Sequence, residues 1–202
     1  MPKKIVIING APGVGKDTFI SKCREFIDIH CYAFKIYNIS SIQPAVDLAR
    51  RYHWNSRHDP ASRNMLAELK SVLDKYFDAS FQYIRSEINK IDPEEKSIIF
   101  VHIREPENIK RLAEYLRGEK VNTNPECYTL YISAKDHKIQ SGVTNQSDLN
   151  TANYDYDTVI ENPIDKESKE AGEVLLYAEA ENYMKDLING STPIKILSSQ
   201  ME

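Results

Sequence analysis

The sequence predicts a three-layer α/β fold, in which a parallel sheet is covered by helices on both faces. Short apolar runs that match single strands alternate along the chain with longer stretches whose apolar residues recur at helical spacing. Residues 5–8 and 97–103 are almost continuously apolar, which is typical of inner strands that are buried on both faces. A glycine-rich loop at residues 10–18 joins the first of these strands to a helix.

The first part of the chain contains two predicted strands and two predicted helices. A strand over residues 3–9 precedes the loop, and the helix after the loop has one apolar face, formed by Phe19, Ile20, Cys23, Phe26 and Ile27. A second strand is predicted over residues 31–39. Ser40 then fits the N-cap of a helix that ends near residue 52, because its hydroxyl can accept from a free backbone N–H. Residues 53–60 are polar and predict a loop.

The middle of the chain is predicted to be helical. Pro60 fits the first position of a long helical region, which residues 78–80 divide into two helices. The first of these helices has seven apolar residues at helical spacing, namely Met65, Leu66, Leu69, Val72, Leu73, Tyr76 and Phe77. Residues 40–92 therefore form a helical insert between the second strand and the inner strand at 97–103.

The last part of the chain returns to alternating elements. The remaining predictions are a helix from Pro106 to Gly118, strands at residues 128–133, 157–160 and 193–197, and a helix at 169–188. Residues 134–153 have almost no apolar content, so we expect a mobile segment there. Strands that alternate with helices in this way predict a sheet covered on both sides.

Length and composition limit the classes of protein to consider. The 202 residues suit a single domain over 1–202, and the net charge of −4 provides no basic surface for nucleic acid. The three cysteines, Cys23, Cys31 and Cys127, lack metal-binding or paired spacing, which favours a reducing cytoplasm. No early apolar run is long enough for a signal peptide or a membrane span. The sequence is also compatible with a homodimer.

The glycine-rich loop has the composition of a phosphate-binding loop. Gly10, Gly13 and Gly15 let the backbone curl so that successive N–H groups, including that of Val14, point at one anion. The N-terminus of the following helix adds free N–H groups and the positive end of its dipole. Lys16 is placed to reach the outer phosphates of ATP, the predicted cofactor. The alternative is a glycine turn that only begins a helix.

The loop departs from the general phosphate-binding motif at one position. Asp17 stands where Ser or Thr normally offers a hydroxyl to Mg²⁺. Thr18 follows one residue later, about 100° further around a helix, so it cannot simply replace that hydroxyl. We therefore expect Mg²⁺ to be held through water, with Asp17 or Thr18 nearby and Glu105 as a further candidate.

Further candidate residues fall near the ends of predicted strands, where parallel sheets bind ligands. Ser40 and Arg104 each follow a strand, and Arg104 should point into the crevice. Its alternative is a surface arginine paired with a neighbouring glutamate. Arg63 lies one turn into a helix, where its guanidinium could hold an acceptor phosphate or remain a solvated charge. Trp54 could stack on a base or pack in the core.

Four stretches together resemble the P-loop nucleoside monophosphate kinase superfamily, and most closely its deoxynucleoside monophosphate kinase-like branch. Residues 15–18 resemble the G-K-D-T ending of that branch's loop. Residues 54–69 resemble its tryptophan loop and R-x-x-L-x-x-L helix. Residues 101–106 resemble its D-V-R-x-P strand end, and residues 154–162 resemble its Y-D-Y-x-I-x-N segment.

The resemblance implies a P-loop NTPase fold and transfer of a phosphoryl group from ATP, with Mg²⁺, to a nucleoside or deoxynucleoside monophosphate. It implies that Lys16 and Arg104 are catalytic. The acceptor would lie between the insert at 40–92 and Arg104, and the residues expected to bind it are Ser40, Trp54, Arg63 and Arg104. Residues 134–153 would form the lid.

Two departures from the family pattern keep alternatives open. His102 stands where the family has an aspartate, and the lid contains Lys135 and Lys138 but no arginine. One alternative is a P-loop kinase of another small metabolite, such as a phosphorylated alcohol. The other is a regulatory module that binds a nucleotide without catalysis. His102 itself is flanked by apolar residues within a strand, so we predict a core histidine.

Overall fold

The computed structural model describes residues 3–57, 59–118, 125–134, 152–163 and 169–190. Within these ranges the strands are β1 (Lys4–Asn9), β2 (Lys35–Ser40), β3 (Ser97–His102), β4 (Glu126–Ala134) and β5 (Thr158–Asn162). The helices are α1 (Lys16–Ile29), α2 (Gln43–Arg51), α3 (Pro60–Phe77), α4 (Ala79–Lys90), α5 (Pro106–Arg117) and α6 (Lys169–Asn189). The predicted strand at 193–197 and nearly all of the predicted lid lie outside the described residues.

The strands form one parallel sheet in the order β2-β3-β1-β4-β5. β1 is the central strand, and its residues Ile5 to Ile8 are completely buried. β3 is buried in the same way over Ile98 to Val101, as its continuous apolar run predicted. The predicted α/β class with a parallel sheet is thus confirmed, and the architecture is consistent with a P-loop NTPase-like fold.

Helices cover both faces of the sheet because successive strand residues point to opposite sides. Val6 and Ile8 of β1 pack with α1 and α6 on one face. Ile5 and Ile7 pack with α4 and α5 on the other face. All five residues predicted for the apolar face of α1 are buried. The three predicted layers are therefore present.

The helical insert forms a smaller, outer layer. α3 packs against α2 and α4, and its contact with α2 is centred on Ala45, Ala49 and Leu66. Asp59 caps α3 by accepting a hydrogen bond from the backbone N–H of Ser62 at 2.7 Å, and Pro60 occupies the first turn as predicted. The predicted division into two helices is also confirmed, because Asp78 adopts a left-handed conformation between α3 and α4.

Two boundaries near β2 differ from the sequence-based expectation. β2 begins at Lys35 and not at residue 31, because Cys31 has a positive φ of 52° in the turn that ends α1. Ser40 is the last residue of β2 and does not cap a helix, since α2 begins only at Gln43, after an Ile42 N-cap that forms no side-chain cap bond. Within the described ranges no helix is both long and apolar enough to span a membrane.

Candidate functional site

The ends of the parallel strands place several polar residues along one edge of the sheet. Asn9, His102 and Asn162 end β1, β3 and β5, and Ser40 ends β2 opposite His102 in the strand register. β1 leads into α1 on one face, whereas the neighbouring β3 leads into α5 on the other face. Adjacent strand ends that diverge in this way open a crevice, where such sheets bind ligands.

The glycine-rich loop crosses this edge in a conformation that other residues adopt only with strain. Gly10, Gly13 and Gly15 have φ angles of 142°, 83° and 91°. A Cβ atom on Gly10 would lie 2.2 Å from the carbonyl oxygen of Ile132, and a Cβ atom on Gly15 would lie 2.2 Å from the side-chain nitrogen of Asn162. The loop is therefore packed tightly against the ends of β4 and β5.

The Lys16 side chain folds back over the loop. Its Nζ donates to the carbonyl oxygens of Gly10 at 2.6 Å and Ala11 at 2.9 Å. Gly15 is the N-cap of α1, so Lys16 is also the first residue of the helix that begins here. An ammonium group and a helix N-terminus consequently provide positive charge at the same place, as the motif predicted.

Two asparagines that were not among the predicted site residues tie the loop to its neighbours, and one of them, Asn162, ends the segment at 154–162 that resembles the family pattern. Asn9 Oδ1 accepts from the backbone N–H of Gly10 at 2.8 Å, and its amide donates to the Arg104 carbonyl at 3.1 Å and to the Tyr156 hydroxyl at 2.7 Å. Asn162 donates to the Val14 carbonyl at 2.8 Å. The only sequence signal for Asn9 is that a polar residue ends an otherwise apolar strand.

His102 lies at the edge of the sheet beside the loop. Its Nε2 atom is 3.9 Å from Asp17 Oδ1, which is too long for a hydrogen bond. Among the described residues this buried nitrogen has no hydrogen-bond partner. Burial, together with the positive charges of Lys16 and Arg104, lowers the pKa of His102 to about 4, against the opposing effect of Asp17. His102 is therefore neutral at pH 7.

The lowered pKa of His102 predicts that stability depends on pH. The unfolded chain protonates this imidazole near its ordinary pKa of 6.5, whereas the folded chain does so only near 4. The stabilisation is therefore complete above pH 6.5 and is lost as the pH falls from 6.5 to 4. We expect His102 to account for about 3 kcal/mol of the decrease. Unfolding by denaturant at several pH values should show a flatter profile for His102→Gln.

Arg104 lies two residues after the end of β3 and is half-buried. Its positive charge contributes to the lowered pKa of His102. The neighbouring Glu105 pairs with Lys70 of α3, with 3.0 Å between Lys70 Nζ and Glu105 Oε1. Burial raises the pKa of Glu105, but the Lys70 ammonium, together with hydrogen bonds from the Glu105 backbone and Asn108, more than offsets this, so the pKa lies below its ordinary value.

Lys70 also connects the insert to the sheet edge. Its Nζ is 2.9 Å from Asp74 Oδ2, and Asp74 in turn accepts from the backbone N–H of Ser80 at 2.8 Å. The Ser80 hydroxyl donates to the Ser41 carbonyl at 2.6 Å, just after β2. These contacts fix the junction of α3 and α4 against the ends of β2 and β3.

A cavity of about 120 Å³ lies between this junction and α5. Three apolar and six polar residues line it, namely Phe81, Ile84, Ile103, Ser41, Asp74, Asp78, Ser80, Asn108 and Arg111. Arg111 and Asp78 form a bidentate salt bridge, in which Nη1 is 2.6 Å from Oδ1 and Nη2 is 2.7 Å from Oδ2. Among the described residues, the Asn108 amide has a single, long contact of 3.5 Å with Glu105. The cavity therefore presents both donors and acceptors next to an apolar surface.

The insert carries the remaining candidate residues. Arg63 is exposed in the first turn of α3, and no ion pair engages its guanidinium within the described part of the chain. Trp54 packs into the cluster between α2 and α3 and donates its indole N–H to Ser62 Oγ at 3.2 Å. Lys16, Asp17, His102 and Arg104 thus lie at the sheet edge, whereas Arg63 and Trp54 belong to the insert.

The residues around Asp17 fit a magnesium ion that is bound together with phosphates. The Asp17 side chain is 90% exposed in the first turn of α1, and Thr18 beside it is also exposed. No group of three or more histidine, cysteine or carboxylate side chains that could enclose a metal exists among the described residues. Mg²⁺ usually needs only one or two carboxylates when phosphates supply its other ligands. A single carboxylate beside a phosphate-binding loop is compatible with that arrangement.

Comparisons with known proteins give little beyond this geometry. No protein-family model matches the chain, and no curated protein matches it. The solved structure of a tunicamycin resistance protein from Deinococcus radiodurans is similar over 89% of this chain and 95% of that chain, at 12% sequence identity and a TM-score of 0.37. A similarity with so low an identity and TM-score does not indicate a function for this chain.

Proposed function

We propose that the protein is an ATP-dependent phosphotransferase that phosphorylates a nucleoside or deoxynucleoside monophosphate. The observation that carries this proposal is the loop at the end of the central strand, where three glycines with positive φ lead into α1 and Lys16 lies over the loop. This combination presents backbone N–H groups, a helix N-terminus and an ammonium to one anion. The β- and γ-phosphates of ATP are the anion that it suits.

The position of the cavity supports an acceptor that carries a base and a sugar next to its phosphate. The cavity begins at Ile103 and Ser41, which are adjacent in sequence to Arg104 and Ser40. A monophosphate held by Arg104 can therefore extend its base or sugar towards Asn108. A volume of about 120 Å³ suits part of a nucleoside, and the mixture of donors and acceptors suits hydrogen bonding to a base.

In this proposal the chain positions its substrates and stabilises charge. Bound Mg²⁺·ATP supplies the phosphoryl group and neutralises part of its charge. Lys16 exchanges its bonds to the Gly10 and Ala11 carbonyls for phosphate oxygens, while Asn9 and Asn162 keep the loop in place. The acceptor phosphate is already ionised at neutral pH, so no general base is required. Arg63 and Arg104 hold that phosphate in line with the transferred group.

One observation favours the alternative of a nucleotide-binding module without catalysis. His102 is neutral, whereas the resembled family has an aspartate at this position. A neutral imidazole cannot supply the charge that a carboxylate offers to a metal ion or its bound water. The alternative predicts that Mg²⁺·ATP binds tightly and that no acceptor is phosphorylated.

The deciding experiment measures ADP release from Mg²⁺·ATP with a panel of ribonucleoside and deoxyribonucleoside monophosphates. Equilibrium binding of ATP is measured on the same samples. We expect turnover with one or a few acceptors. Phosphorylated alcohols are included as a second panel, because a kinase of another small metabolite shares the loop but not the acceptor. ATP binding without turnover for any acceptor would reject the kinase and support the regulatory module.

Substitution of Arg63 tests the acceptor site separately from the ATP site. Arg63→Ala should raise the KM for the acceptor by roughly 10- to 100-fold, the effect of losing a charged hydrogen bond to phosphate, with little change in the KM for ATP. Arg24→Ala is the matched control, because Arg24 is also an exposed helical arginine but lies further along α1. Equal increases in both KM values would contradict the assignment of Arg63 to the acceptor.

A further inference from the structure

The outer surface of α3 is an apolar feature that the proposed function does not use. Of the seven larger apolar side chains in this helix, Leu66 is buried and three others are partly buried. Val72 is 54% exposed, Tyr76 is 67% exposed and Phe77 is 69% exposed. A surface helix normally packs its apolar stripe against the rest of the protein. Here three side chains in the second half of the stripe stay mostly exposed, whereas Leu73 packs partly against the cluster between α2 and α3.

The spacing of this stripe is that of a helix–helix interface. Met65, Leu69, Val72 and Tyr76 follow one another at intervals of four, three and four residues, which is the heptad pattern. Met65 and Leu69 pack partly against the cluster between α2 and α3, while Val72 and Tyr76 remain open. The pattern therefore continues into a surface where a second helix can pack.

Two exposed charges of opposite sign flank the same side of the stripe. Glu68 and Lys75 are seven residues apart, so they lie two turns and about 10 Å from each other along α3. Neither forms an ion pair with another residue in the described ranges, although Lys75 Nζ lies 5.3 Å from the centre of the Tyr76 ring. A helix that packs on this side is favoured when it places a positive charge beside Glu68 and a negative charge beside Lys75.

α3 itself has the required order when it runs in the opposite direction. An antiparallel copy places Glu68 beside the partner's Lys75 and Lys75 beside the partner's Glu68, with Val72 near the centre of the pair. A parallel copy would leave both charges without a partner, because equivalent positions on two parallel helices lie on opposite sides of their contact. We propose that the chain forms a homodimer with twofold symmetry through antiparallel packing of α3. The inference uses only α3 and does not depend on the proposed enzymatic activity.

Charge reversal tests this arrangement by analytical ultracentrifugation over a concentration series. The wild-type chain should form a dimer. Glu68→Lys and Lys75→Glu should each weaken the dimer about tenfold, because each replaces two attractive pairs with two repulsive ones. An equimolar mixture of the two variants should regain wild-type affinity as a heterodimer, since each of the two pairs then again joins a lysine and a glutamate. Val72→Glu should give a monomer.

The side chains in this test are solvent-exposed, so the variants should keep the fold, which circular dichroism and thermal unfolding can verify. A wild-type chain that stays monomeric would overturn the proposal. That is the result expected if another segment of the same chain covers α3. A dimer that neither reversal weakens, or two weakened variants whose mixture does not recover, would overturn it as well. Such results would place any dimer contact elsewhere on the surface.

Discussion

Lys16→Ala should reduce phosphoryl transfer by roughly 10²- to 10³-fold, the effect of removing one group that stabilises charge at a reacting centre. In the structure its ammonium binds the carbonyl oxygens of Gly10 and Ala11, at the start of the loop that should receive the phosphates. Alanine removes this charge and leaves the helix intact. ADP release with the best acceptor, at saturating ATP, measures the loss.

A matched substitution separates this effect from a general change in charge. Lys22→Ala, six residues along α1, also removes one lysine, whose only described ion pair is with Glu25 on the same helix. It should retain wild-type turnover. The thermal stability of Lys16→Ala should change little, because its lost hydrogen bonds join parts of a single loop. Undiminished turnover in Lys16→Ala would remove the loop from the mechanism and reject the proposed function.

Gly10→Ala should destabilise the protein by about 3 kcal/mol, which corresponds to a decrease in Tm of roughly 6–12 °C for a chain of this size. Two effects combine at this residue. Its φ of 142° is one that alanine rarely adopts, and the added Cβ would lie 2.2 Å from the backbone oxygen of Ile132. A backbone oxygen inside the sheet cannot rotate away as a side chain could. Thermal and denaturant unfolding measure the change.

Gly190→Ala provides the control, because Gly190 also has a positive φ, of 73°, but a Cβ there would meet no atom of the described residues within 4 Å. Its cost should be only the conformational one, about 1 kcal/mol. The difference between the two variants then measures the close contacts with Ile132 and Val14 together with the greater backbone strain at Gly10. Similar losses for both would mean that the loop can move away from β4, and that its close packing does not fix its shape.

The sequence alone was sufficient to predict the strands and helices of the core. The apolar runs of β1 and β3 predicted two buried parallel strands, because such strands are apolar at every position. The spacing of five apolar residues predicted the buried face of α1, and all five are buried. Pro60 and residues 78–80 predicted where the long helices begin and divide, since proline and left-handed turns act locally.

Only the tertiary structure could decide features that depend on neighbours distant in sequence. Ser40 looked like a helix cap, yet pairing of β2 with β3 extends the strand through this residue. The spacing of the apolar residues of α3 predicted the same burial for all of them. Only Leu66 is buried, because α2 covers just one end of the stripe.

The candidate site shows the same division between local and distant effects. Gly10, Gly13, Gly15 and Lys16 form a local motif, so their sequence was enough to predict a glycine loop that leads into a helix. The environment of His102 depends on Lys16 and Arg104, which reach it from two different strand ends. Asn9 contacts residues 95 and 147 positions away in sequence. Such contacts exist only once the sheet has formed, so no local pattern could reveal them.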